Sequence, residues 1–102
     1  MKKAFFDAVR TGRKTTTLRY WRRQMVRPGE VHTVPGLGKL RIEAVQDVEL
    51  SSLTDADAAA DGFASVADLR AALEKMYPAL AGRGDTGRKL YAIRFTFLHD
   101  GG

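Results

Sequence analysis

A period-two alternation of large apolar residues near the carboxyl end constrains the fold more than any other feature of this sequence. The apolar positions are Tyr91, Ile93, Phe95 and Phe97, and small or polar residues separate them. Because successive side chains of a strand point to opposite faces, the pattern predicts a final strand whose aromatic side is buried. A chain of 102 residues without cysteine has to bury that side by packing, since no disulfide can replace a core.

Three further strands are predicted upstream. Residues 15–21 are β-branched and aromatic, and alternation places Thr17 beside Arg19 on one side. Pro28-Gly29 and the Pro-Gly pair at residues 35–36 are typical of turns, and they bound a short strand at residues 31–34. A longer strand over residues 40–50 is long enough to bend across two halves of a curled sheet.

Apolar spacing and capping residues predict three helices. Residues 3–11 carry an apolar stripe that includes Phe5, and Gly12 ends it. A short alanine-rich helix begins at Thr54, which a carboxylate follows three residues later, and ends at Gly62. A third helix begins after Ser65 and ends before Pro78. We expect residues 79–89 to form a glycine-rich connector and residues 99–102 a frayed tail.

The order helix, strands, helices, strand indicates one α+β domain over residues 1–102. A small curled barrel is the simplest way to hide several short strands in so few residues. A parallel doubly wound sheet is disfavoured, because too few strands alternate with helices.

The charge is unevenly distributed along the chain. The net charge is +5, yet residues 1–30 carry nine basic and two acidic side chains. Such a cluster suits an anionic partner, because it raises the local concentration of phosphates. A solvated basic face would give the same composition, so charge alone leaves both interpretations open.

Neither a membrane nor export is expected. No stretch approaches the roughly 20 apolar residues that span a bilayer, and Asp7 and Arg10 come too early for a signal-peptide core. Because the sequence has no cysteine, the fold depends on no disulfide and needs no oxidising compartment. We therefore expect a cytoplasmic protein.

Several familiar sites are excluded by their residue types. The glycines at 82 and 87 lack the Lys-Ser/Thr pair of a phosphate loop, and Gly36-x-Gly38 leads into a strand instead of a helix. His32 and His99 have no nucleophilic serine motif nearby. They and the scattered carboxylates also lack metal-ligand spacing, so we expect neither a metal nor another cofactor.

The segment from Gly12 to Arg19 has the sequence Gly-Arg-Lys-Thr-Thr-Thr-Leu-Arg, and it contains an amine and hydroxyl groups that could take part in catalysis. A partly desolvated Lys14 can lose its proton near neutral pH and act as a base. It could then activate the Thr17 hydroxyl, or a water beside it. A carboxylate would still be needed to pass the proton to a leaving nitrogen. The alternative is an ordinary strand that follows a surface lysine.

This segment resembles the Gly-x-Lys-x-x-Thr-x-Arg signature of ASCH domains, which are related to the PUA fold of RNA-binding domains. Further segments agree in order: Arg27-Pro28-Gly29-Glu30, Leu53-Thr54-Asp55 with Ala58, Asp61-Gly62-Phe63, Leu69, Tyr77-Pro78 and Ile93-Arg94-Phe95. The resemblance covers nearly the whole chain. It implies a small PUA-like β-barrel, which we expect to contain about five to six strands flanked by two to three helices.

The resemblance also implies a function. Small bacterial ASCH proteins include amidohydrolases that remove the acyl group from N(4)-acetylcytidine and similar acylated cytosines with a lysine, a threonine and a glutamate. The lysine falls on Lys14 and the threonine on Thr17, whereas the glutamate falls on Asp61, one methylene shorter. The expected substrate is therefore a small nucleoside. Its binding residues are expected among Arg13, Arg19, Tyr20, Trp21, Phe63 and Tyr77, because a flat base stacks on aromatic rings.

Two other functions fit the same resemblance. A non-catalytic RNA-binding module would use exposed Lys and Arg side chains to contact phosphates. A ribonuclease would use Lys14 and Tyr77. The sequence leaves open the preferred acyl group, the choice between free nucleoside and RNA, and the oligomeric state.

Overall fold

A computed structural model describes residues 2–80 and 87–99, which form an α+β fold as predicted. A 3-10 turn, Lys3–Phe5, continues into helix α1, Phe6–Arg10. The other helices are α2, Asp55–Ala60, and α3, Val66–Met76, and further 3-10 turns lie at Leu50–Ser52 and Pro78–Leu80. The strands are β1, Thr16–Trp21; β2, Val31–Val34; β3, Gly38–Val48; and β4, Lys89–Leu98.

The strands form one antiparallel sheet in the order β1-β4-β3-β2, which curls into a half-barrel. Four strands lie in the described part of the chain, fewer than the five to six expected. The long apolar run remains one strand, because a register shift between Ile42 and Ala44 bends β3 without ending it. This strand stops at Val48, two residues early, and Leu50 begins the following 3-10 turn.

Strand β4 separates two hydrophobic cores. Its predicted aromatic face lies in the first core, where Ile93 and Phe95 pack against Phe6 and Val9 of α1. Its opposite face lies in the second core, which α2 and α3 complete; the buried members there are Leu18, Leu53, Ala58, Leu69, Leu73 and Leu90. The sheet is therefore covered on both faces near the start of β4.

The predicted helix caps are present. The Asp57 backbone N–H donates to Thr54 Oγ1 at 3.2 Å, and the Thr54 N–H donates to Asp57 Oδ2 at 2.9 Å, which is a capping box. Ser65 accepts from the Asp68 N–H at 3.2 Å in the same way. These caps fix where α2 and α3 begin, and hence where the turn between them lies.

The predicted connector at 79–89 lies largely outside the described residues. Its ends are structured, because residue 79 is in a 3-10 turn and Lys89 begins β4. Of the predicted tail, His99 packs its ring against Phe97 at 4.8 Å between centroids, and residues 100–102 lie outside the described part. No helix of the described chain is long and apolar enough to cross a membrane.

Candidate active site

A cavity of about 290 Å³ opens beside β1, between the first helical turn, the end of α2 and the face of α3. One part of its lining is polar, and the rest is apolar or aromatic. The polar and charged residues are Lys2, Lys14, Thr17, Arg19, Asp61 and Tyr77; the remainder are Phe5, Leu18, Phe63, Leu69, Ala72, Leu73 and Met76. Lys14, Thr17 and Asp61, which the motif singles out, thus line the same cavity.

Backbone hydrogen bonds fix the start of β1 in this cavity. Gly12 takes φ +79° just after α1, and the Lys14 N–H donates to Ala8 O at 3.0 Å. The Thr15 N–H donates to Ala60 O, the last residue of α2, at 2.8 Å. The segment carrying Lys14 is therefore held between the ends of two helices.

Lys14 is almost fully enclosed, with 3% of its surface exposed. Its Nζ donates to Thr16 O at 2.9 Å, to Asp61 O at 2.6 Å and to the Asp61 carboxylate, with which it forms a salt bridge. The Phe5 ring lies beneath it, 4.7 Å from Nζ to the ring centroid. Three acceptors and an aromatic face therefore surround the amine, which is a complete set of partners for an ammonium group.

Burial shifts the pKa of both partners toward the neutral pair. Desolvation lowers the pKa of Lys14; the Asp61 carboxylate opposes this shift, and the Arg19 charge adds slightly to it. Desolvation also raises the pKa of Asp61, against the attraction of Lys14. Each shift lowers the cost of moving a proton from the amine to the carboxyl group. The pair is suited to proton transfer, and its two titrations are coupled.

The turn that ends α2 positions Asp61. The Phe63 N–H donates to Ala58 O at 2.8 Å and the Gly62 N–H to Ala59 O at 3.0 Å, which is a Schellman motif with Gly62 at φ +88°. A Cβ on Gly62 would lie 3.3 Å from Phe5 Cδ1 and 3.5 Å from Lys14 Cδ. The missing side chain therefore allows the turn to approach both residues closely.

Thr17 and Arg19 occupy alternate positions of β1, as predicted, and both are half-buried. The Arg19 guanidinium donates through one nitrogen, Nη1, to Thr17 Oγ1 at 2.8 Å and to Leu18 O at 3.0 Å. The hydroxyl oxygen of Thr17 therefore accepts a hydrogen bond from a positively charged side chain.

Aromatic and aliphatic side chains form the rest of the cavity wall. Phe5 and Phe63 meet with ring centroids 5.5 Å apart and planes tilted by 56°. Helix α3 contributes Ala72 and Met76, and the latter is 43% exposed at the rim. This wall offers flat apolar surface next to the polar residues.

Three of the predicted binding residues lie outside this cavity. Arg13 is exposed and donates through Nε to Thr11 Oγ1 at 3.1 Å. Tyr20 packs against the second core and against the ring of Tyr77, 5.8 Å away. Trp21 packs against the first core, beside Tyr91. Arg19, Phe63 and Tyr77 do line the cavity.

Sequence reasoning missed Phe5 and the residues of α3 as cavity residues. Phe5 belongs to the apolar stripe of the first helix, and Ala72 and Met76 belong to that of α3, so both patterns indicated core. No group of three or more His, Cys, Asp or Glu side chains that could hold a metal ion is present among residues 2–80 and 87–99.

Comparison with known proteins shows the fold. No family model matches the chain, and no curated protein matches it significantly in sequence. An ASCH domain from Lactobacillus crispatus JV V101 superposes with a TM-score of 0.74 at 16% identity, covering 92% of this chain and 70% of that one. The hypothetical protein PH0355 superposes with a TM-score of 0.75 at 12% identity, covering 96% and 94%. Protein EF3133 from Enterococcus faecalis V583 gives 0.66 at 18% identity, covering 93% and 70%.

These similarities confirm the expected fold class, a small antiparallel half-barrel with flanking helices. The chain has the fold of an ASCH domain.

Replacing Gly62 should destabilise the protein more than replacing a turn glycine with open space around it. In Gly62→Ala the left-handed backbone costs about 1–2 kcal/mol, and the new Cβ also meets Phe5. Gly29→Ala is the matched control, because Gly29 has φ +92° and nothing within 4 Å of its Cβ position. Urea unfolding of both variants measures the difference, and equal losses would contradict the close packing at Gly62.

Proposed function

We propose that the protein is an amidohydrolase that removes the acyl group from N(4)-acetylcytidine or a related N(4)-acylated cytosine. The observation that carries the proposal is the presence of Lys14, Thr17 and Asp61 in one cavity, with Lys14 nearly enclosed. An enclosed amine beside a hydroxyl and a carboxylate provides a base, a nucleophile and a proton shuttle.

The proposed reaction begins with the Lys14 amine neutral, its proton having passed by way of Asp61 to solvent. The Thr17 oxygen then attacks the acyl carbon while its proton passes to Lys14. A carbon–oxygen bond forms, and the carbonyl electron pair moves onto the acyl oxygen. When that pair returns, the bond from carbon to N4 breaks, and the proton that Lys14 took up passes through Asp61 to N4, releasing cytidine. Water then cleaves the Thr17 ester and gives the carboxylic acid.

The amine has to exchange one of its partners during this reaction. Its three N–H donors are directed at Thr16 O, Asp61 O and the Asp61 carboxylate. A neutral amine has two N–H groups and one lone pair, so loss of a proton frees one direction. The bond to Thr16 O, at 2.9 Å, is longer than the bond to Asp61 O, at 2.6 Å. We infer that the Lys14 amine breaks its hydrogen bond to Thr16 O when its lone pair turns toward the Thr17 hydroxyl.

The lining of the cavity supports an aromatic substrate. A volume of about 290 Å³ is at the small end of the range for ligand pockets, which suits a base with a short substituent. Phe63 and Phe5 offer ring surfaces on which a cytosine can stack, and the apolar part of α3 suits the acyl group.

A non-catalytic RNA-binding module is the second candidate. The observation that favours it is the exposure of the basic side chains near the amino terminus: Lys2, Lys3, Arg10, Arg13, Arg22, Arg23 and Arg27. Such a module contacts phosphates and does not need an enclosed Lys14. A free nucleoside therefore distinguishes the two candidates, because the enzyme should act on it and the phosphate-binding module should not.

Incubation with N(4)-acetylcytidine should release cytidine, and Lys14→Met and Thr17→Val should each lower kcat at least ~100-fold, as expected when a base or nucleophile is lost. The matched controls are Lys75→Met and Thr33→Val, because both residues are exposed and outside the cavity. Chromatography of the nucleosides provides the measurement. Absence of turnover by the unmodified protein would favour the RNA-binding module, and full turnover by both variants would exclude the assigned roles.

The pH profile should identify Lys14 as the base. The amine must be neutral to accept a proton, so kcat/KM should rise with pH and level off. Because burial lowers the Lys14 pKa from its ordinary value of 10.5, the midpoint of the rise should lie below pH 10.5. The Asp61 charge raises that pKa, so in Asp61→Asn the rise of the residual activity should move to lower pH.

The control for this profile is Asp68→Asn, which removes an exposed carboxylate in the first turn of α3 and should leave the rise in place. A shift to higher pH in Asp61→Asn would contradict the assignment of Lys14 as the titrating base.

Phe63→Leu should raise KM by roughly 5- to 150-fold with a smaller effect on kcat, because stacking on an aromatic ring contributes about 1–3 kcal/mol per base. Phe97→Leu is the control, since Phe97 is half-buried against the first core and outside the cavity. Steady-state kinetics with N(4)-acetylcytidine provide the test. An unchanged KM in Phe63→Leu would show that the base lies elsewhere.

A further inference from the structure

Arg19 has an unusual position for a half-buried cation. Its hydrogen bonds go to two neutral oxygens, Thr17 Oγ1 and Leu18 O, and within the described part of the chain it forms no salt bridge. Its charge nevertheless reaches the polar residues of the cavity, since it acts to lower the pKa of both Lys14 and Asp61. A cation without a carboxylate in contact is available to stabilise negative charge.

The hydrogen bond between Arg19 and Thr17 has only one possible direction. A guanidinium group donates and cannot accept, so the Thr17 oxygen is the acceptor at 2.8 Å. The hydroxyl proton therefore points away from Arg19 and is free to pass to a base. The bond also places the positive charge next to the atom that would attack the acyl carbon.

Lys14 is poorly placed to stabilise an oxyanion. Its amine is occupied by Thr16 O and by two oxygens of Asp61, and in the proposed reaction it begins neutral and takes up the Thr17 proton only as the charge on oxygen develops. Arg19 remains charged throughout, because a guanidinium group stays protonated in proteins.

The edge of the sheet supplies a second donor. The Phe95 N–H donates to Thr15 O at 2.9 Å, so Thr15 faces β4, and with the alternation of an antiparallel pair Thr17 faces it too. Leu18 then directs its backbone groups to the opposite edge of β1, which pairs with no strand of the described part of the chain. The bond from Arg19 to Leu18 O agrees with this orientation. The Leu18 N–H lies on the same edge, one residue after Thr17.

We propose that Arg19, together with the Leu18 N–H, forms the oxyanion-stabilising site of this cavity and so acts as a catalytic residue. This inference rests on the proposed function. When Thr17 Oγ1 bonds to the acyl carbon, the carbonyl electron pair moves to the acyl oxygen, which is attached to the same carbon. Arg19 already holds Oγ1, so its guanidinium is adjacent to that charge. The pair returns when the bond to N4 breaks.

This role differs measurably from that of a residue that orients the substrate. An orienting arginine contacts substrate and transition state equally, so its loss raises KM. A group that acts on charge present only in the transition state affects kcat instead. Donors of this kind contribute about 10²–10³-fold to kcat.

The test compares Arg19→Met and Arg19→Lys with the unmodified protein on N(4)-acetylcytidine. Arg19→Met should lose about 10²–10³-fold in kcat with KM changed by no more than a few-fold, and Arg19→Lys should lose less. Added guanidinium chloride at non-denaturing concentration should restore part of the kcat of Arg19→Met in a saturable manner. It should not restore Lys14→Met, and sodium chloride at equal ionic strength should restore neither.

The outcomes are distinguishable from failure of the proposed function. An unmodified protein without turnover contradicts the amidohydrolase itself. A raised KM with unchanged kcat overturns the oxyanion role and makes Arg19 an orienting residue. The oxyanion role is also overturned if Arg19→Met loses kcat and guanidinium does not restore it, while its unfolding midpoint equals that of the unmodified protein. If Arg19→Met does not fold, unchanged kcat in Arg19→Lys overturns the role, and reduced kcat with unchanged KM supports it.

Discussion

The buried contact between Lys14 and Asp61 is the interaction on which the site depends. Each residue is nearly enclosed, at 3% and 4% exposed, so neither charge is well hydrated. Removing one partner of such a pair leaves an uncompensated buried charge, which typically costs about 3–5 kcal/mol. The same contact joins two parts of the chain 47 residues apart, the start of β1 and the end of α2. The enclosure that makes the pair costly also brings the ionised and the neutral form of the pair closer in energy, because it lowers the pKa of Lys14 and raises the pKa of Asp61.

The cavity lies where the sheet is incomplete. Within residues 2–80 and 87–99, strand β1 pairs with β4 on one side only, so its other edge presents backbone groups that a closed barrel would use for pairing. Lys14 bonds one edge carbonyl, Thr16 O, and Arg19 bonds another, Leu18 O. The side chains of Lys14 and Arg19 therefore satisfy backbone carbonyls at this edge of β1, and they also supply the positive charge of the site. The open edge of the sheet and the polar side chains along it thus give a structural reason why the candidate site lies beside β1.

Local patterns were sufficient to predict the elements, but they could not assign side chains to the cavity. Alternation in β4 and the caps at Thr54 and Ser65 predicted their elements, because both are properties of neighbouring residues. Phe5 and Trp21 show the limit. Both are aromatic residues in apolar patterns, yet Phe5 lines the cavity and Trp21 packs on the first core. Only the tertiary arrangement, in which α1 and the end of α2 hold the segment just before β1, separates the two. The count of five to six strands came from the family resemblance, whereas the four strand patterns of the sequence correspond to the four described strands.

The shorter acid at position 61 is consistent with the backbone that carries it. The amidohydrolases that the sequence motif resembles have a glutamate at this position, and an aspartate reaches one methylene less far. In this chain the turn itself approaches the amine: the Asp61 carbonyl lies 2.6 Å from Nζ, and the Gly62 Cβ position would be only 3.5 Å from Lys14 Cδ. With the backbone this close, an aspartate reaches the amine directly, and a longer side chain would have to fold back on itself. The glycine that permits the close approach thus offsets the missing methylene.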